Sequence, residues 1–151
     1  MDLILWRHAE AKDALEAEDD LQRRLTAKGE RQAERMAQWL KPRLAPSTRI
    51  LVSPALRCRQ TAAALGRDVE TSPALGPDTS VRAVLDAARW PNASEPVLVV
   101  GHQPTLGLAA ARLLAGVEQS WSMKKGAIWW LRGREAEGAV ALLAVVGPEW
   151  I

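Results

Sequence analysis

The stretch "EPVLVVGHQPTLGLAAARLLAG", Glu95 to Gly116, holds the pattern that decides the fold. It opens on an apolar β-branched run, Val97 to Val100, too short for a helix and without the alternating polar positions of a strand with one wet face. His102 stands just past the carboxyl end of that run. Pro104 then falls in the first turn of an apolar helical stretch, and Gly116 is placed to cap its end. The same plan recurs at "RILVSP", Arg49 to Pro54, where Ser53 reads as a capping hydroxyl and Pro54 as a first-turn residue. Cys58, Ala62 and Leu65 form the buried stripe of the helix that follows.

Outward from these two units the rhythm continues. Leu3 to Trp6 is a third short apolar run, ending on Arg7-His8. The segment Ala11 to Arg24 is polar and unpatterned, a loop. Thr26 supplies an N-cap to a helix in which Ala33, Met36, Ala37 and Leu40 recur at helical spacing, ending near Pro42. Val69 to Thr79, with two Pro and a Gly, reads as loop, and "SVRAVLDAARW" as a helix closed by Pro91. "AIWWLRG" and "AVALLAVVG" are two terminal strands, a hairpin around "REAEG". Strands that alternate with helices and are too apolar to have a wet face predict an α/β fold. The expected architecture is a single three-layer α/β/α domain over 1–151 with a mostly parallel central sheet.

Composition sets the other bounds. At 151 residues the chain can bury a full core without staples. Its 20 basic and 18 acidic residues leave a formal charge of only +2, which gives no support to a nucleic-acid partner. No apolar run approaches the length of a membrane span, and "MDLILW" meets Arg7 too soon to serve as a signal-peptide core. A cytoplasmic protein with no membrane association is the expectation, and a monomer, since no coiled-coil face is evident. Cys58 is the single cysteine, so neither an internal disulfide nor a thiolate metal site is available. No metal and no cofactor is expected. The 7 Trp, with no Tyr or Phe, are read mainly as core.

In a parallel sheet, ligands bind outside the carboxyl ends of the strands. Three such ends carry Arg7-His8, Ser53 leading to Arg57, and His102. Two of them lead into helix N-termini, where free N–H groups favour an anion. Two imidazoles and two guanidinium forks at one rim suit a phosphoryl group. Singly, each residue has an ordinary reading: a histidine at a core edge, a solvated helix arginine, a helix cap. The joint pattern separates the readings, because both of the chain's 2 His fall at the ends of separate buried strands.

The blocks "LWRHAEA", "LTAKGERQAERMAQWL", "LVSPALRCRQTA" and "VLVVGHQP" together resemble the histidine phosphatase superfamily, and within it the short phosphohistidine phosphatase branch of the SixA type. The resemblance runs from Leu3 to about Leu114. It implies a phosphoglycerate-mutase-like α/β fold, His8 as a nucleophile that becomes phosphohistidine, Arg7 and Arg57 as phosphate-binding arginines, and His102 as the second histidine on the transferring group. Two departures stand out: Ala9 replaces the more familiar Gly after Arg-His, and Arg24 stands where Pro is common.

For His8 to attack, one ring nitrogen must be free and the other must donate to a fixed acceptor, a backbone carbonyl. Two nearby arginines would keep the ring neutral. A phosphomonoester needs a general acid for its alkoxide, whereas the imidazole leaving from phosphohistidine departs as a neutral ring once protonated. Asp78 and Glu10 are the candidate acids, and each also reads as an ordinary loop residue. The implied function is a metal-independent phosphohistidine phosphatase, a hydrolase acting in signal transduction. Its expected partner is a phosphohistidine-bearing protein, a phosphotransfer domain or phosphotransferase-system protein. The alternatives are a small-molecule phosphomonoesterase and a non-catalytic phosphate-binding module. Arg59, Arg82, Lys124 and Lys125 are either contacts for an acidic partner surface or solvated charges.

Overall fold

The computed structural model describes residues 1–14, 19–134 and 138–151. Six strands form one sheet: β1 Asp2–Arg7, β2 Arg49–Val52, β3 Glu70–Thr71, β4 Val97–Gly101, β5 Ile128–Gly133 and β6 Val140–Val146, in the order β3-β2-β4-β1-β5-β6. The four strands from β3 to β1 are parallel, and β5 and β6 add antiparallel at the other side. The helices are α1 Ala27–Leu40, α2 Leu56–Ala63, α3 Val81–Ala87 and α4 Thr105–Ala115.

Strand residues point alternately to opposite faces, and both faces are covered. Ile4, Trp6, Ile50, Val52, Leu98 and Val100 form one core with Met36 and Leu40 of α1 and Cys58 and Ala62 of α2. Leu3, Leu5, Leu51, Val97 and Val99 form the other with Val81 and Val84 of α3 and Leu106 and Ala109 of α4. This is the expected three-layer arrangement with a mostly parallel sheet. The terminal hairpin is present as β5–β6. Of the "REAEG" segment, Glu135 to Glu137 lie outside the described residues.

Thr26 caps α1 through a bond from the Gly29 N–H at 2.9 Å, and Gly116 ends α4 in the left-handed region at φ 80°. The expected start of α2 is corrected. Its N-cap is Ala55, so Ser53 and Pro54 precede the helix. Ser53 Oγ does accept the Ala55 N–H at 3.2 Å, as a local turn, while also meeting His102. The loop read over Val69 to Thr79 contains the two-residue strand β3, whose side chains are both exposed and so carry no hydrophobic period. The tryptophans divide: Trp6 is fully buried, whereas Trp150 is 83% exposed. No helix among the described residues is long and apolar enough to cross a membrane.

Candidate active site

β2, β4 and β1 are neighbours in the sheet, so their carboxyl ends lie side by side. The register carries this into the loops: the His8 N–H bonds the Gly101 carbonyl at 3.1 Å, and the Ser53 N–H bonds the Val100 carbonyl at 3.1 Å. Arg7, His8, Arg57 and His102 therefore line one cleft of about 220 Å³, joined there by Arg23 and Lys125. The two imidazole rings stand edge to face, with centroids 5.4 Å apart.

His8 is 8% exposed. Its Nδ1 lies 2.7 Å from the Ala9 carbonyl. A carbonyl only accepts, so the proton sits on Nδ1 and Nε2 keeps its lone pair. Burial pushes the His8 pKa down to about 4, with the charges of Arg57, Arg7 and Arg23 adding to it and the Ala9 bond opposing it. The neutral state expected from the sequence is present, but burial rather than the arginines is its main cause.

His102 is neutral for the same reason, its pKa pushed to about 3 first by burial and then by His8 and Arg57, against Asp20. Its Nε2 lies 2.7 Å from Ser53 Oγ, and its Nδ1 lies 3.4 Å from an Arg57 Nη2. Guanidinium only donates, so this contact puts the resting proton on Nε2, donated to Ser53. Cys58 Sγ packs 3.4 Å from Nε2, and burial pushes its thiol up to about 12, so it stays protonated.

The arginines are held by what surrounds them. Arg57, 4% exposed, donates from Nη1 to the Asp20 carbonyl at 2.8 Å and from Nη2 to the Asp20 carboxylate at 3.1 Å. Arg7 Nη1 donates to the Met123 carbonyl at 2.7 Å. The Nε atoms of both arginines are buried without a partner; only two other buried side-chain polar atoms among the described residues share that condition. Buried donors are almost always satisfied, so these two guanidinium N–H groups are exceptions, and both belong to residues that line the cleft.

The two candidate acids do not line the cleft. The Glu10 carboxylate accepts from Thr26 Oγ at 2.7 Å, which ties it to the start of α1. Asp78 is exposed, and it is the neighbouring Pro77 that reaches the cleft. The carboxylate that does line it is Asp13. Sequence reasoning missed Asp13, Asp20 and Arg23, all in an unpatterned loop where no hydrophobic period marks position. It placed Ser53 correctly at the strand end but gave it only a capping role. Among the described residues no group of three or more His, Cys, Asp or Glu side chains is arranged to hold a metal.

The profile of the histidine phosphatase superfamily (branch 1) matches residues 3–78. The phosphohistidine phosphatase SixA of Escherichia coli (strain K12) is 34% identical over 124 residues, which cover 77% of this chain and 76% of that protein. An uncharacterized protein of Picosynechococcus sp. is 35% identical over 163 aligned positions, covering 100% of this chain and 99% of its own. A solved structure of the protein histidine phosphatase SixA complexed with tungstate superposes with a TM-score of 0.82 at 31% identity, covering 98% of this chain and 97% of that one. The chain belongs to the histidine phosphatase superfamily, in its SixA-type branch.

Proposed function

We propose that the chain, as one catalytic domain over 1–151, is a phosphohistidine phosphatase that acts in the cytoplasm on a phosphohistidine-bearing partner protein, without a metal. The observation that carries this reading is the state of His8. Its Nδ1 proton is committed to the Ala9 carbonyl, its ring is neutral, and its free Nε2 shares a cleft with Arg7 and Arg57. That is the equipment of a nucleophile toward phosphorus.

In the first step a bond forms between His8 Nε2 and phosphorus as the substrate's P–N bond breaks. The departing imidazole takes a proton from solvent or leaves from an already protonated ring. The guanidinium groups of Arg7 and Arg57, which line the cleft, meet the equatorial oxygens. His102, its ring edge to face with that of His8 and its Nε2 held by Ser53, flanks the transferring group. Water next attacks phosphorus, the N–P bond to His8 breaks, and inorganic phosphate and one proton are released. A leaving imidazole does not depend on a carboxylic acid at the cleft, which fits the placing of Glu10 and Asp78 elsewhere.

Asp13 at the cleft wall favours a second reading, a small-molecule phosphomonoesterase with Asp13 as its acid. Phosphate release from a phosphorylated histidine phosphotransfer domain and from a panel of phosphomonoesters, by wild type and Asp13→Asn, separates the two. Turnover confined to phosphohistidine and unchanged by Asp13→Asn supports the first reading. Fast monoester turnover abolished by Asp13→Asn supports the second. Tight phosphate binding without turnover of either substrate leaves a binding module.

A further inference from the structure

We propose that the apolar groove beside the cleft, built from Trp129, Val145 and Trp150, receives an apolar side chain of the phosphohistidine-bearing protein, with Lys125 at the junction meeting an acidic group next to it. The inference rests on the phosphohistidine reading and names the part of the partner that this chain would grip.

The groove has a volume of about 240 Å³. Its floor is a cross-strand pair, Trp129 of β5 opposite Val145 of β6, backed by Trp121 with ring centroids 6.0 Å from those of Trp129. Trp150 stands over one side, at the end of a turn closed by the bond from its N–H to the Gly147 carbonyl. Trp150 is 83% exposed and Val145 51% exposed, so the groove presents unburied aromatic and aliphatic surface. An isolated exposed apolar residue needs no explanation, but a concave group with aromatic walls has the character of an interface centre.

Continuity with the catalytic cleft identifies the occupant. Lys125 lines both spaces, so the groove adjoins the cleft and lies within reach of residues that flank a phosphohistidine seated there. The loop that carries Lys125 is fastened to the catalytic dipeptide: Arg7 donates to the Met123 carbonyl, and the Gly126 N–H bonds the His8 carbonyl at 3.0 Å. The far wall is tied to α1, because Arg35 donates to the Pro148 carbonyl at 2.9 Å. The groove is thus fixed relative to the nucleophile, as a specificity surface must be. Lys124 is occupied by Glu149. Lys125 has no ion-pair partner among the described residues and is the charge available to the substrate.

The test compares two substrates bearing the same reactive bond: a histidine phosphotransfer domain phosphorylated with phosphoramidate, and free phosphohistidine. Trp150→Ala and Val145→Ser lie outside the catalytic cleft. Each is expected to lower kcat/KM on the phosphorylated domain about tenfold through KM and to leave free phosphohistidine turnover unchanged. Unchanged kcat/KM on both substrates overturns the proposal, as does an equal loss on both. A wild-type dimer that Trp150→Ala dissociates without a change in turnover also overturns it, making the groove the seat of a second copy. If wild type turns over neither phosphohistidine substrate, the functional reading itself fails and the docking proposal falls with it.

Discussion

Ser53 Oγ lies 2.7 Å from Nε2 of His102, and the same hydroxyl accepts the backbone N–H of Ala55 at 3.2 Å. One small side chain thus fixes an imidazole ring at the end of β4 and the turn into α2. Removing the hydroxyl leaves the His102 ring free to rotate away from the phosphoryl position. Ser53→Ala is expected to lower kcat on the order of tenfold, the scale of one lost orienting hydrogen bond, with little change in KM. Steady-state kinetics check it, and unchanged kcat would remove Ser53 from the positioning of His102.

Arg57 uses both terminal nitrogens on Asp20 and leaves Nε unpaired, an arrangement that a lysine cannot reproduce. Arg57→Lys keeps the charge and loses the planar fork. Its kcat/KM is expected to fall roughly 100-fold, and its affinity for inorganic phosphate, read by calorimetric titration, to fall with it. A variant within twofold of wild type would show that the guanidinium acts only as a point charge.

The positions of His8, Arg57 and His102 were legible in the sequence because each is tied to the end of a continuous apolar run, and such runs mark parallel strands whatever their neighbours. The adjacency of those ends followed from the fold class. The loop residues were not legible. Asp20, Arg23 and Asp13 sit in a segment whose shape is set by contacts to distant residues, such as Asp20 with Arg57, 37 positions away. Glu10 shows the converse: two residues after His8 in sequence, it turns to Thr26 because the loop after β1 packs on the start of α1. The main cause of the His8 pKa was also hidden, since burial belongs to the whole fold and charge to the residue.

Both histidines make stability depend on pH, with a definite sign. Their folded pKa values, about 4 for His8 and about 3 for His102, lie below the ordinary value of 6.5. Below pH 6.5 the unfolded chain therefore binds protons that the folded one refuses. The stabilisation is fully present above pH 6.5 and is lost as pH falls toward the folded values. Between pH 6.5 and pH 5 each histidine accounts for a loss of up to about 2 kcal/mol. Urea unfolding at pH 7 and pH 5 reads it directly. Wild type is expected to weaken more than His8→Ala, and parallel behaviour would contradict the neutral, buried state of His8.

Gly29 lies in the first turn of α1 against the backbone of Glu10, and a Cβ there would overlap the Glu10 carbonyl. In an ordinary helix Gly→Ala gains up to about 1 kcal/mol. Here the sign reverses. Gly29→Ala is expected to cost about 1–3 kcal/mol through overpacking and to displace the segment after His8, lowering kcat as well. Thermal unfolding with parallel kinetics tests this, and a stabilised, fully active variant would contradict the packing described.

In the proposed reaction His8 carries the phosphoryl group. The most direct test of this is to react the protein with phosphoramidate, quench in alkali, and locate the phosphate by mass spectrometry of peptides, in wild type and in His8→Ala. Wild type is expected to carry an alkali-stable, acid-labile phosphate on His8, with neither label nor turnover in the variant. Turnover retained by His8→Ala, or a phosphate found on another residue, would contradict it.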